Sequence, residues 1–320
     1  MKFQTGNGSR RPRPRVVTVA PALAVLCAAG LLLPLLTRVI GEVSPTAAWA
    51  LDLAAHWQLV FVTGLTISVS LTVFSKPHWG LLLFLIPLPW LTAWSTAPDK
   101  GDGAELVVIA ANVSVGNSDP APLVDWIRSE QPDVLAIVEI SNGFAKKLEL
   151  DDSFPYQVVR PRSDPFGLAL LSRHPIVAHS IVDDAHGVQR IEAKLNWRGN
   201  LVTVVAFHPR PPLTSADHVR RNENLAELAS RLTDMPTVIM GDFNATPWSS
   251  AFAAPTRAGF RLVNGYSPTW PAAWGGLMGL PIDNVLLSRH WTATRREIGP
   301  DVESDHMPVL ARIALDPLND

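Results

Sequence analysis

Asp242 and Asn244 follow the apolar run Thr237-Val238-Ile239-Met240, with Gly241 and Phe243 spacing them. On an extended backbone, residues two apart leave the same face, so a carboxylate and an amide point together at one small polar object. Asn112, Glu139 and His208 also stand where apolar stretches run out, and Asp283 and the triplet Ser304-Asp305-His306 flank two more. Taken singly, each is an ordinary polar residue ending a strand. Six such coincidences in one chain point to one site. Carboxylates with Asn and His, and no cysteine among them, suit a hard divalent cation such as Mg2+ or Mn2+, because oxygen donors match hard ions.

These residues need strands to carry them. A short apolar run bounded by Pro236 and Gly241 reads as a buried strand, and α/β layers place ligands at strand C-termini. Further strands are expected at 106–111, 134–138, 156–159, 168–171, 176–182, 190–197, 201–207, 282–287 and 309–315. Asp119-Pro120 opens a helix carrying Leu123, Val124 and Ile127, and Pro132 ends it. A second helix, 215–232, places Leu225, Leu228, Ala229 and Leu232 on one face. Runs of adjacent strands between helices predict a layered α/β sandwich rather than a strictly alternating parallel sheet.

The chain has 320 residues, 47% of them hydrophobic, with the excess in the first hundred. Its single cysteine, Cys27, excludes an internal disulfide and a cysteine-based zinc site. Residues 1–15 carry Lys2, Arg10, Arg11, Arg13 and Arg15 with no acidic residue and read as a basic, disordered tail. Three apolar runs without charge follow at 16–37, 57–74 and 79–94, the last containing Pro87 and Pro89. They are expected to form three transmembrane helices in a membrane domain spanning 16–95, with Asp52 and His56 at the membrane surface and flanking tryptophans as an interfacial belt. The cations before the first run and Lys76 between the second and third put the N-terminus in the cytoplasm and the C-terminal domain outside. Ala48-Trp49-Ala50 also resembles a signal-peptide cleavage site; cleavage there would leave the same domain outside. A linker at 96–103 then leads to a catalytic domain at 104–320.

Asn112-Val113, Glu139, Gly167-Leu168-Ala169-Leu170-Leu171-Ser172-Arg173, His208, Gly241-Asp242-Phe243-Asn244, Ile282-Asp283 and Ser304-Asp305-His306, in that order, resemble the endonuclease/exonuclease/phosphatase (DNase I-like) superfamily. The resemblance implies a four-layered α/β sandwich that cleaves phosphoester bonds with Mg2+. With three helices ahead of an external domain, the chain is also similar to the membrane-bound actinobacterial subgroup that includes the VanJ-type teicoplanin-resistance proteins. By this resemblance, Glu139, Asn112 and Asp305 bind the metal, Asp242 and Asn244 orient the attacking water and the phosphoryl group, and His208 stabilises charge on the phosphoryl oxygens. Asp283 holds His306 as base or phosphate donor; Asp305, adjacent to His306 on an extended chain, points the other way. Some family members also use a tyrosine, and this chain has only Tyr156 and Tyr266.

From Ala104 onward, 19 Lys or Arg stand against 25 Asp or Glu, a net charge of about −6 that disfavours nucleic acid as partner. The segment 266–280, with Trp270, Trp274, Leu277, Met278 and Leu280, reads either as a covering loop or as an apolar lip that admits a lipid. The expected activity is therefore an outward-facing phosphoesterase acting at the bilayer on a phosphorylated lipid or envelope precursor, with no protein partner identified. A membrane-tethered nuclease and a non-catalytic phospho-ligand module are the alternatives.

Overall fold

The computed structural model describes residues 15–40, 44–96, 99, 103–148, 150, 152–184, 187–263, 265–276 and 278–316; the side chains of residues 15–18 and Trp274 lie outside the description. The expected basic tail, except Arg15, most of the linker and Leu277 therefore fall outside the described residues.

The N-terminal part is helical: α1 (Arg15–Leu31), α2 (Leu33–Ile40), α3 (Pro45–Ala55), α4 (Gln58–Thr72), a 3-10 stretch (Pro77–Leu85) and α5 (Leu88–Thr92). The remainder begins β1 (Ser95–Thr96), β2 (Glu105–Asn112), α6 (Ala121–Glu130), β3 (Val134–Val138), α7 (Asn142–Lys147), β4 (Tyr156–Arg160), β5 (Leu168–Ser172) and β6 (Ile176–Asp183). It continues with β7 (Gln189–Trp197), β8 (Asn200–Ala206), α8 (Ser215–Leu232), β9 (Thr237–Asp242), α9 (Ala253–Arg257), β10 (Arg261–Val263), β11 (Asp283–Leu287), β12 (Trp291–Ile298) and β13 (Val309–Leu315).

Two mixed sheets form, in the orders β1-β10-β11-β9-β8-β7-β6 and β12-β13-β2-β3-β5-β4. Their central strands β2, β3, β5 and β9 are apolar on both faces because both faces are covered. Alternate residues of β2 divide accordingly: Val108 and Ala110 join Val204, Val238 and Val285 between the sheets. Val107, Ile109 and Ala111 meet α6 and α7 on the outside. The outer face of the other sheet packs Val205 and Ile239 against Leu225 and Leu228 of α8. The result is helices, sheet, sheet, helices.

Register gathers the polar residues at one edge. β2 and β3 run parallel with Asn112 opposite Val138, so Asn112 and Glu139 emerge together. β8 and β9 run parallel with Ala206 opposite Met240, which brings out His208 beside Asp242. β11 runs antiparallel to β9 with Asp283 opposite Asp242, and β13 starts antiparallel to the end of β2, three residues after His306. Gly241 makes the approach of His208 to Asp242 possible: its φ is 143°, and a Cβ would lie 2.2 Å from the Phe207 carbonyl oxygen. Gly241→Ala is expected to cost at least about 1–3 kcal/mol of stability and to displace Asp242. Thermal unfolding measured beside activity checks this; a variant as stable and active as the parent contradicts it.

The N-terminal helices depart from the expected spans. The helix expected over 16–37 breaks at Leu32, because Pro34 has no N–H to give the Gly30 carbonyl, which accepts instead from Gln58 Nε2 at 3.0 Å. The stretch expected over 79–94 is a 3-10 segment followed by α5, its regular ladder interrupted by Pro87 and Pro89. Among the described residues no single helix is long and apolar enough to cross a membrane. The bent pairs Val19–Leu31 with Leu33–Ile40 (48°) and Pro45–Ala55 with Gln58–Thr72 (61°) pass together on length and composition. Asp52 and His56, expected at a membrane surface, are buried at 0% and 5% exposure against the catalytic domain. Ser95 and Thr96, expected where membrane domain meets linker, pair with Leu262 and Val263 as an edge strand.

Candidate active site

Asn112 sits between the two acids. Its Nδ2 donates to Glu139 Oε1 at 2.9 Å and to Asp242 Oδ2 at 3.2 Å, while its Oδ1 accepts from Ser114 N. The second oxygen of Glu139 takes the Val115 N–H at 3.1 Å. His208 Nε2 lies 3.8 Å from Glu139 Oε1 and 3.6 Å from Asp242 Oδ2. His306 Nε2 lies 3.8 Å from the same Asp242 oxygen, and its Nδ1 is 2.8 Å from Asp283 Oδ2. Asp242 is thus the hinge between two imidazoles. Its other oxygen is capped by the Asn244 N–H at 2.8 Å, and Asn244 Nδ2 donates to the Pro209 carbonyl. Glu139 and Asn244 have φ of 61° and 49°, left-handed conformations that are sparsely populated outside glycine and concentrate at functional sites.

The expected site residues separate under this geometry. Asn112, Glu139, His208, Asp242, Asn244, Asp283 and His306 lie together in one hydrogen-bonded and ionic network. Asp305 lines the same cleft, its Oδ2 accepting from Trp270 Nε1 at 3.1 Å, and it belongs to neither group of acids and imidazoles close enough to share a cation. Those groups, among the described residues, are Glu139, His208 and Asp242, and Asp242, Asp283 and His306. The donor set fits a divalent cation. It offers carboxylate oxygens with neutral imidazole nitrogen available, and two buried atoms in it, His208 Nδ1 and Asp283 Oδ1, have no protein partner among the described residues. Tyr156 and Tyr266 are outside the site, Tyr266 Oη accepting from Ser95 Oγ beside the N-terminal helices.

Electrostatics assign different work to the two central groups. Burial, then the nearby charge of Asp283, pushes the Asp242 carboxyl up to about 6, with His306 and His208 opposing. Burial works against a charged His306, but Asp283 and Asp242 outweigh it and raise the imidazolium to about 10. At neutral pH Asp242 is therefore an ionised acceptor and His306 a charged donor. A cation must displace a proton from Asp242 in acid, so Mg2+ affinity is expected to weaken by about tenfold per pH unit below about 6. Titration calorimetry on solubilised protein reads this directly; a flat affinity through that range contradicts it.

Sequence reasoning missed the supports. Ser304 Oγ donates to the Asn112 carbonyl, Thr269 Oγ1 accepts from the Asp283 N–H, and Arg221 NH1 donates to the Asn244 carbonyl at 2.6 Å. Arg221 carried a signal: with His218 it continues the buried face of Leu225 and Leu228 on α8, where an apolar residue is the usual occupant.

A paired acid and imidazolium beside a cation site at the shared edge of two sheets is chemistry for cleaving phosphoric esters with a divalent metal. Residues 109–306, more than half of the chain, match the model of the Endonuclease/Exonuclease/phosphatase family, and the chain belongs to that family. It is accordingly a metal-dependent phosphoric ester hydrolase. The endonuclease/exonuclease/phosphatase from Beutenbergia cavernae DSM 12333 has a similar fold, at a TM-score of 0.54 and 18% identity over 66% of this chain and 72% of that one. So has the Bacteroides vulgatus endonuclease/exonuclease/phosphatase, at 0.54 and 18% over 67% of this chain and 100% of that one. A humanized TDP2 of D. rerio gives 0.55 and 15% over 65% and 98%. At these identities the likeness is one of fold. No curated protein matches the sequence.

Proposed function

We propose that the protein is a membrane-anchored, outward-facing phosphoesterase that uses Mg2+ to hydrolyse a phosphorylated lipid or cell-envelope precursor, in the manner of the VanJ-type subgroup linked to teicoplanin resistance. The observation that carries this reading is the cleft itself. A cavity of about 510 Å³ is lined by Glu139, His208, Asp242, Asp305 and His306, by Arg210 and Asp217, and by the apolar side chains of Phe166, Pro212, Leu213, Leu280 and Ile282. Such a cleft suits a molecule that is ionic at one end and apolar beyond it. Val25, Leu26 and Val39 in α1 and α2, and Phe84 and Leu91 further on, are exposed apolar side chains of the kind that meet lipid.

The expected topology accords with the packing. With the first and second spans on either side of it, α3 falls on the outer side with the catalytic domain, against which it is buried. Arg38, after the first span, donates to the Thr92 carbonyl near the end of the third at 2.6 Å, which puts both ends on one side.

In turnover, Glu139, Asp242 and His208 would hold the cation, which would supply a polarised water and neutralise phosphoryl charge. Asp242, held by the Asn244 N–H, orients the attacking water and accepts its hydrogen bond. His306, charged and fixed by Asp283, donates from Nε2 to a phosphoryl oxygen, and Asn112 keeps the two carboxylates apart. The test is phosphate and nucleotide release by detergent-solubilised protein over lipid diphosphates, phospholipids and plasmid DNA, with Mg2+ or EDTA. Lipid phosphate released only with metal upholds the proposal; efficient DNA cleavage with no lipid turnover replaces it with a tethered nuclease.

A further inference from the structure

One wall of the cleft does not come from the catalytic domain. Leu53 and His56 line the cavity together with Asp242 and His306, and both precede the region that matches the family model. They stand at the C-terminal end of α3, which is held in a single register. Asp52, the neighbour of Leu53, accepts from Arg221 NH2 at 3.0 Å, Ser249 Oγ at 2.8 Å and the Ser250 N–H at 2.6 Å, and lies 3.2 Å from His218 Nε2. One turn earlier, Trp49 Nε1 donates to the Pro212 carbonyl at 2.8 Å, tying α3 to the loop that follows His208. His56 is oriented too: its Nδ1 donates to the Asp52 carbonyl at 2.6 Å, since a carbonyl only accepts. A helix pinned at both ends of its contact cannot slide, so the positions of Leu53 and His56 relative to the catalytic acids are set.

We propose that α3 is part of the substrate site, with Leu53 and His56 forming the surface for the hydrocarbon nearest the phosphate of a lipid phosphoester whose phosphate lies at Glu139, Asp242 and His306. The occupant follows from the lining: Leu53, Pro212, Leu213 and Phe166 give the cleft apolar surface beside the catalytic groups, and α1 and α2, which precede α3, carry the exposed apolar side chains Val25, Leu26 and Val39. Selection of long-chain over water-soluble esters then depends on a segment outside the family's common core. The inference rests on the phosphoesterase reading.

The experiment uses the full chain in detergent with Mg2+ and a homologous series of alkyl phosphates, as monoesters and as diphosphates, from ethyl to hexadecyl. For the parent protein, kcat/KM rises with chain length. In Leu53→Asp the ratio of hexadecyl to ethyl kcat/KM falls by about 10- to 100-fold, the scale of losing one buried leucine contact, mainly through KM, and Leu53→Met restores it. A kcat/KM independent of chain length in the parent, or a Leu53→Asp that lowers both esters by one factor, overturns the inference and leaves a phosphoesterase whose α3 is only structural. Turnover of no member of the series by the parent, with Mg2+ bound, overturns the phosphoesterase reading itself.

Discussion

His306→Ala is expected to lower kcat by about 10² to 10⁴, the range for a positioned proton donor or acceptor, with a smaller effect on KM. The accompanying pH profile separates donor from base. Because Asp283 and Asp242 raise the His306 imidazolium, the parent should hold its activity through neutral pH and lose it on the alkaline side. Asp283→Asn removes the larger of the two raising charges and should move that alkaline limb toward acid while retaining part of the rate. Linkage has the same sign: a folded-state value above the ordinary 6.5 contributes stability that is complete below about 6.5 and is lost as the pH passes through about 10. Activity that instead rises as His306 loses its proton would make it the base and leave Asp242 only a ligand.

Asp52→Leu alone, or Arg221→Leu alone, is expected to lower the unfolding free energy by about 3–5 kcal/mol, because each leaves a charge buried without its partner. Asp52 and Arg221 have 0% and 1% side-chain exposure, so neither can turn to water. The double variant should recover much of the loss, since an apolar pair of similar size avoids the desolvation of both ions. Unfolding in detergent measures the cycle, and costs that simply add would show that the two residues do not act as a pair. Arg221→Leu should also reduce kcat by more than Asp52→Leu does, because only Arg221 touches the Asn244 carbonyl.

The catalytic sandwich was legible because its strands are buried on both faces, which writes them as unbroken apolar runs such as 134–138, the bounds of β3. The site was legible for the same reason: a polar residue that ends such a run contrasts with what precedes it. β12 gave no such contrast. It is an edge strand paired only with β13, and its sequence carries Arg295 and Glu297 where solvent takes the place of a neighbour, while Arg296 turns inward to donate to the Asp283 carbonyl. The resemblance placed Asp305 at the metal, and nothing in the sequence signals that one of its oxygens accepts from Trp270, 35 residues away. The destination of Asp52 was the least accessible of all. An acid just ahead of an apolar run reads locally as a surface group, and its partner is 169 residues distant, beyond any periodic or spacing signal.

The catalytic domain is joined to the N-terminal helices at separated points. β1 stitches the end of the last apolar segment into one sheet, Trp248 Nε1 donates to the Pro89 carbonyl at 2.9 Å, and α3 is clamped through Asp52 to Arg221 of α8. A single tether limits only how far a domain can travel, whereas attachments at non-collinear points also remove its rotations. With the helices in a bilayer, such a domain is a mount rather than a float, and its cleft keeps one aspect to the surface. On the proposed lipid substrate, its encounters would then be governed by how many target molecules occupy a patch of membrane, and dilution of the surrounding fluid would leave them unchanged.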